Sequence, residues 1–259
     1  MITKQKGFKE NLTFEDLTTD FFREYVVYLK KTLKNVDSTV NKNLATIKIY
    51  VTDAVKRGYM DANPFEDIKI RRQRIVPVDY LTETELSKLT ELYSAKNLPD
   101  NLQKALGFFL FMCFTSLHIS DAKSVKMEQI STTTLTYYRK KNRNSKPEPI
   151  FIPLSKPAKK IIKQEAGLRL KGLLFDGMYP DQRINKFLKR IAAKVGIDKK
   201  ISAKTGRHTF ATIYLRRTKD IRSLQELLGH SNLTETLVYA HVLDESKREG
   251  MDTFNDFKI

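Results

Sequence analysis

Thirteen consecutive uncharged residues, ALGFFLFMCFTSL at 105–117, constrain this chain more than any other stretch. The run lies between Lys104 and His118 and is too short to cross a bilayer, which takes about 20 apolar residues. It predicts an apolar helix over 101–117 in a hydrophobic core, with the single cysteine, Cys113, as a buried and inert thiol. A chain of 259 residues is long enough for such a core, as one large domain or two ordinary ones. One cysteine excludes a disulfide framework and a Cys-rich zinc module. The opening MITKQKGFKENLTF lacks the apolar stretch of a signal peptide. The expectation is a soluble, cytosolic protein.

Charge names the class of partner. Lys and Arg number 47 against 30 Asp and Glu, a formal charge of +17. With 15 Phe and 11 Tyr the chain has too much to bury for disorder, so the excess belongs to a folded surface suited to a polyanion. Nucleic acid is the commonest such partner. A membrane-surface role would want a concentrated polybasic or lipidation segment, which neither terminus shows. RNA-binding modules would show aromatic-glycine motifs, and none is found.

The pattern predicts a mostly α protein with a small β-sheet, in two domains, 1–75 and 76–259. Leu17, Phe21, Phe22, Tyr25, Val26 and Leu29 recur at helical spacing in a first helix within FEDLTTDFFREYVVYLKKTL, 14–33. Ser38 is placed to cap a second helix that stops near Gly58. Residues 62–80, with two prolines and a basic cluster, read as a linker. The second domain restarts at LTETELSKL, where Thr82 and Glu85 are spaced for a capping box. LTYY (135–138) and IFIPL (150–154) read as short strands joined by the basic RKKNRNSKPEP. Five further helices follow Pro157.

The chemistry is unusual for an enzyme. No Ser-His-Asp order, phosphate-cradling glycine loop, HExxH or His/Cys cluster is present. What stands out is TGRHTFATIYLRR at 205–217, LLGHSNLTETLVYAHV at 227–242 and FTSLHISDAKSV at 114–125. They supply cations, imidazoles and a tyrosine. Arginine and lysine hold a phosphate, histidine donates to it, and tyrosine can attack phosphorus without a metal or other cofactor. Tyr239 also fits a core tyrosine on its apolar face, and His208 and His241 read as structural.

The stretch from RHTFAT through LLGHSN to the tyrosine of YAHV resembles the tyrosine recombinase (phage integrase) family, in particular mobile-element integrases. The joint spacing of Arg207, His230 and Tyr239 carries the likeness, which extends over 80–243, while 13–75 resembles the family's helical, SAM-like core-binding domain. The resemblance implies a mixed α/β catalytic domain and a metal-independent recombinase. Tyr239 would be the nucleophile, leaving a 3′-phosphotyrosine and a free 5′-hydroxyl. Arg207 would grip a non-bridging oxygen of the scissile phosphate, and His230 would hydrogen-bond the same group. Lys141 would protonate the leaving oxygen, with Lys140 and Arg143 as neighbours that leave the register open by a residue or two. Asp121 would steady the site from behind. Lys140, Arg143, Arg139 and Lys42 are candidate DNA contacts, since five cations and no acid in 139–146 exceed an ordinary solvated face.

Two positions depart from the pattern. TSLHISD puts His118 where the family usually has an arginine, and Lys204 precedes Arg207 where it usually has a histidine. Lysine keeps a cationic donor. Histidine replaces a charged fork with one donor that is mostly neutral at pH 7, a loss of about 2–4 kcal/mol of transition-state stabilisation if it acts like one oxyanion donor. His118 has two readings, a cap after the apolar helix or a weakened site member, and Arg139, Arg143 and Lys123 are the cations placed to compensate. Duplex DNA is the implied partner, held by a homo-tetramer, with accessory DNA-bending proteins possible and no membrane. In the tail, 244–259, Met251, Phe254 and Phe257 form a stripe for docking into a neighbouring subunit. Only about a dozen residues precede Phe14, so the arm-binding domain of similar integrases is expected to be absent. The implied function is integration or excision of a mobile element, and the rival is a DNA-binding scaffold disabled by His118 and Lys204.

Overall fold

The computed structural model describes residues 12–68, 78–139, 148–243 and 251. The chain divides into two compact units, Met1–Ile75 and Val76–Ile259. In the first, helix α1 (Thr19–Val27) runs into a π turn (Tyr28–Thr32), and α2 spans Asp37–Lys56. The first helix starts later than its apolar spacing suggested because the Thr18 hydroxyl accepts from the Phe21 N–H and caps the chain there. Conversely, α2 starts before Ser38, with extended Val36 at its N-cap and Asp37 in its first turn. Asp37 favours the positive helix end and pairs with Lys30 at 2.7 Å. Phe22, Leu29, Val40, Leu44, Val51 and Phe65 form the core, with the Phe22 and Phe65 rings 4.5 Å apart. Phe65 therefore ties the start of the predicted linker into this unit, while 69–77 lies outside the described residues.

The second unit is built around the apolar run. Helix α3 (Glu83–Ala95) opens on the Thr82–Glu85 capping box, and α4 (Asp100–Thr115) carries the run. Against α4 pack α3, α6 (Lys156–Ala166), α7 (Asp181–Lys194) and α8 (Ala203–Thr218). Burial from all sides explains why α4 is apolar all round, and Cys113 is buried, its thiol pushed well above its ordinary range. Helix α8 comes close at Gly206, where a Cβ would stand 3.2 Å from that of Met112. This approach brings the next residue, Arg207, to the end of α4. There the chain leaves the helix at Ser116, in the left-handed region (φ 62°), before the apolar run is finished.

Short α5 (Ile119–Lys123) follows, then antiparallel β1 (Thr134–Tyr138) and β2 (Pro149–Pro153), in register Leu135 to Ile152 and Tyr137 to Ile150. The chain goes on through α9 (Ile221–Leu228) and α10 (Leu233–Thr236) to a 3-10 segment, Leu237–Leu243. The architecture is mostly α with a two-stranded sheet. No helix among the described residues is long and apolar enough to cross a membrane.

Candidate active site

Arg207 sits in the first half of α8, only 7% exposed. Burial pulls its pKa down from the guanidinium value, while the hydroxyls of Tyr137 and Tyr239 and the carboxylate of Asp121 act the other way. Its charge survives because the main chain solvates it. Nη1 donates to the Ser116 carbonyl at 2.8 Å and Nη2 to that of Leu228 at 2.7 Å. The left-handed turn at Ser116 and the end of α9 thus supply acceptors from two elements. Ser116 closes the arrangement, its hydroxyl donating to the Leu227 carbonyl at 2.8 Å.

His230 follows Gly229, the left-handed residue that ends α9 (φ 60°). Its Nε2 lies 2.9 Å from Arg207 Nη2 and its Nδ1 2.8 Å from the hydroxyl of buried Thr236. A guanidinium only donates, so Nε2 accepts and Nδ1 carries the proton toward Thr236. The threonine hydroxyl can reverse roles, so that once Arg207 turns its Nη2 hydrogen from the ring to an incoming oxygen, Nε2 can take the proton and donate to that oxygen as well. Burial, with Arg207 and Arg139, lowers the His230 pKa to about 3, so the ring is neutral.

Tyr239 lies in the 3-10 segment, 2% exposed, among Ala211, Leu215, Leu224 and Leu228. Its hydroxyl meets Nδ1 of His208 at 2.7 Å. Burial raises the phenol to about 12, against the pull of Arg207. His208 is lowered to about 4, by burial first and then by Lys204 and Arg207. The tyrosine is therefore the donor and a neutral imidazole the acceptor. The sequence offered no sign of this bond, which joins residues 31 positions apart.

The remaining candidates are spread around this centre. Asp121 is buried in α5, and its charge acts on Arg207, Tyr137 and His118. His118 is the N-cap of α5, its Nδ1 accepting from the Ser120 hydroxyl at 2.9 Å and the Ser120 N–H at 3.4 Å. Its pKa is lowered, mainly by burial. Lys123 pairs with Asp181 at 2.6 Å. Lys204 is exposed one turn before Arg207, and Lys42 is exposed on α2 in the first unit. Lys140, Lys141 and Arg143 lie outside the described residues, as does the tail apart from exposed Met251. No group of three or more His, Cys, Asp or Glu among the described residues is placed to hold a metal.

The phage integrase family matches residues 79–246, which hold every element of this site, and the phage integrase SAM-like domain matches residues 1–71. The chain belongs to the phage integrase family. It is 30% identical over 254 residues to a tyrosine recombinase of Pseudothermotoga lettingae, covering 94% of this chain and 85% of that protein. To the tyrosine recombinase XerC of Oceanobacillus iheyensis it is 25% identical over 251 residues, with 92% and 79% covered. Among solved structures, the Tn1549 transposon integrase in complex with circular intermediate DNA superposes with a TM-score of 0.70 at 19% identity, covering 96% of this chain and 89% of that one. The XerH recombinase bound to palindromic difH superposes at 0.67 and 15% identity, covering 93% and 74%. These two likenesses show the fold. Membership of the family, with the 30% identical tyrosine recombinase, makes the chain a tyrosine-type site-specific DNA recombinase.

The two depressed histidines in this integrase-family site set an acid limit to its stability. His208 and His230 titrate below the ordinary 6.5 when folded, so between about pH 6.5 and 4 the unfolded chain binds more protons. Their contribution is complete above pH 6.5 and is lost as the pH falls through that window. Thermal melts are expected to drop by several degrees from pH 7 to pH 5, and less in His208→Gln/His230→Gln. Equal drops in both proteins would remove these two residues as the cause.

Proposed function

We propose that this recombinase breaks and rejoins duplex DNA through Tyr239 during integration or excision of a mobile element. The observation that supports this most is the pairing of Arg207 with His230 on main-chain carbonyls, beside a buried tyrosine whose ionisation the same arginine favours. Arg207 and His230 hold the scissile phosphate. The Tyr239 oxygen attacks phosphorus, a Tyr–O–P bond forms and the P–O5′ bond breaks. The phenol's proton is released, and the Lys141 ammonium supplies the one that the 5′-oxygen takes up. The 3′-phosphotyrosine stores the bond energy, and attack by a 5′-hydroxyl from the partner strand reverses the step. Lys204 and Asp121 support the site, and Arg139, Lys140, Arg143 and Lys42 contact DNA.

In this reading residues 1–75 form the SAM-like DNA-binding domain and 76–259 the catalytic domain. The working form in the bacterial cytoplasm is a homo-tetramer on two DNA sites, with the 244–259 tail of each subunit docked on a neighbour and DNA-bending proteins as helpers. Nothing favours the disabled scaffold. The test is covalent capture on negatively supercoiled plasmid in EDTA. Protein linked to a 3′ end, with relaxed topoisomers, is the expected result. Bound plasmid that is never cut by any amount of protein would overturn the reading.

A further inference from the structure

A second guanidinium stands beside Arg207. Along β1 the side chains alternate, with Leu135 and Tyr137 buried and Tyr138 exposed. Arg139, the next residue, continues the buried face and is half-buried. Its Nη1 donates to the carbonyl of Gly229. That carbonyl is the neighbour of the Leu228 carbonyl, which accepts from Arg207 Nη2 at 2.7 Å. Two guanidiniums thus hang from consecutive peptide oxygens at the negative end of α9, and the next residue in the chain is His230.

Like charges so placed repel, and Arg139 lowers the proton affinity of Arg207, His230 and His118. An anion with two charged oxygens turns that repulsion into attraction, and phosphorus under attack by an oxygen nucleophile has two non-bridging oxygens to offer. Two other nearby groups are already engaged in part or in full. Nδ1 of His118 caps α5 through Ser120, and Lys123 is held by Asp181.

We propose that Arg139 is the second phosphate-clamping arginine of this site, a catalytic residue that works from the end of β1 in place of a cation at position 118. The proposal rests on the recombinase reading above. Arg207 and Arg139 each take one non-bridging oxygen, while their remaining donors stay on the two carbonyls that fix the distance between them.

The test uses Arg139→Gln, whose amide can still donate to the Gly229 carbonyl but carries no charge. Three quantities are read: the melting temperature, the affinity for supercoiled plasmid, and the rate of adduct formation on that plasmid. The expected result is a rate lower by about 100-fold, a melting temperature near wild type and an affinity within about threefold. In the Arg139→Gln background, His118→Arg is expected to recover at least about tenfold, by returning a guanidinium from the other side of the site. A rate within threefold of wild type would overturn the proposal. So would a slow Arg139→Gln that His118→Arg does not rescue, which would leave Arg139 as an anchor of the strand only. Absence of any adduct from the wild type would instead overturn the recombinase reading, and the assignment of Arg139 with it.

Discussion

Tyr239→Phe is expected to bind plasmid DNA as the wild type does and to form no covalent adduct, a loss of at least about 10⁴-fold. The hydroxyl is the only atom removed, and no charge changes, so the electrostatic part of DNA affinity is untouched. The substitution also breaks the 2.7 Å bond to His208 Nδ1. A partly buried imidazole then lacks its donor, and about 1 kcal/mol of stability should go with it. Two readouts move by very different amounts, adduct to background and melting temperature by roughly 2–4 °C. An adduct that persists in Tyr239→Phe would place the nucleophile elsewhere.

Arg207→Ala should damage both stability and catalysis. Its guanidinium satisfies the carbonyls of Ser116 and Leu228 and one nitrogen of His230, all around a buried position. Leaving buried acceptors without donors costs about 1–3 kcal/mol each, so a loss of about 3–5 kcal/mol is expected, on the scale of a domain's whole stability. Arg207→Lys separates the fold from the chemistry. It keeps the charge but reaches one acceptor at a time, so plasmid binding should survive while adduct formation slows by about 10²–10³-fold. Cleavage by Arg207→Lys within about tenfold of wild type would remove this residue from the phosphate site.

Much of the fold was legible because local rules and the global arrangement agree. The run at 105–117 had to be surrounded, and four helices surround it. LTYY and IFIPL pair as antiparallel strands because both are short and rich in β-branched and aromatic residues. The start of α2 was misplaced by local rules, since Ser38 is a good cap in isolation but Asp37 has Lys30 to pair with. Of the site, Arg207 and His230 could be grouped from their flanks, but not how they are held. The acceptors are peptide carbonyls, and any sequence has those. His208 was unreadable for another reason. Tyr239 sits on a 3-10 turn rather than an α-helix, and its direction across to α8 follows from tertiary packing alone. Arg139 was counted with the cations that follow it in sequence, although strand alternation from Leu135 and Tyr137 already turned it inward.

The anchoring of both guanidiniums on the main chain at the end of α9 has an evolutionary side. A cationic cluster held by carboxylates can lose its support whenever one acidic residue mutates. Here no side-chain replacement at Leu228 deletes the acceptor, because the acceptor is the peptide itself. The surrounding sequence is therefore free to drift while the anion site keeps its shape. The vulnerable point is the path of the backbone at Gly229, whose left-handed conformation any side chain would strain and whose Cβ would stand 2.2 Å from Ile150 Cδ1. Selection on this corner of the protein should fall on a residue that has no side chain.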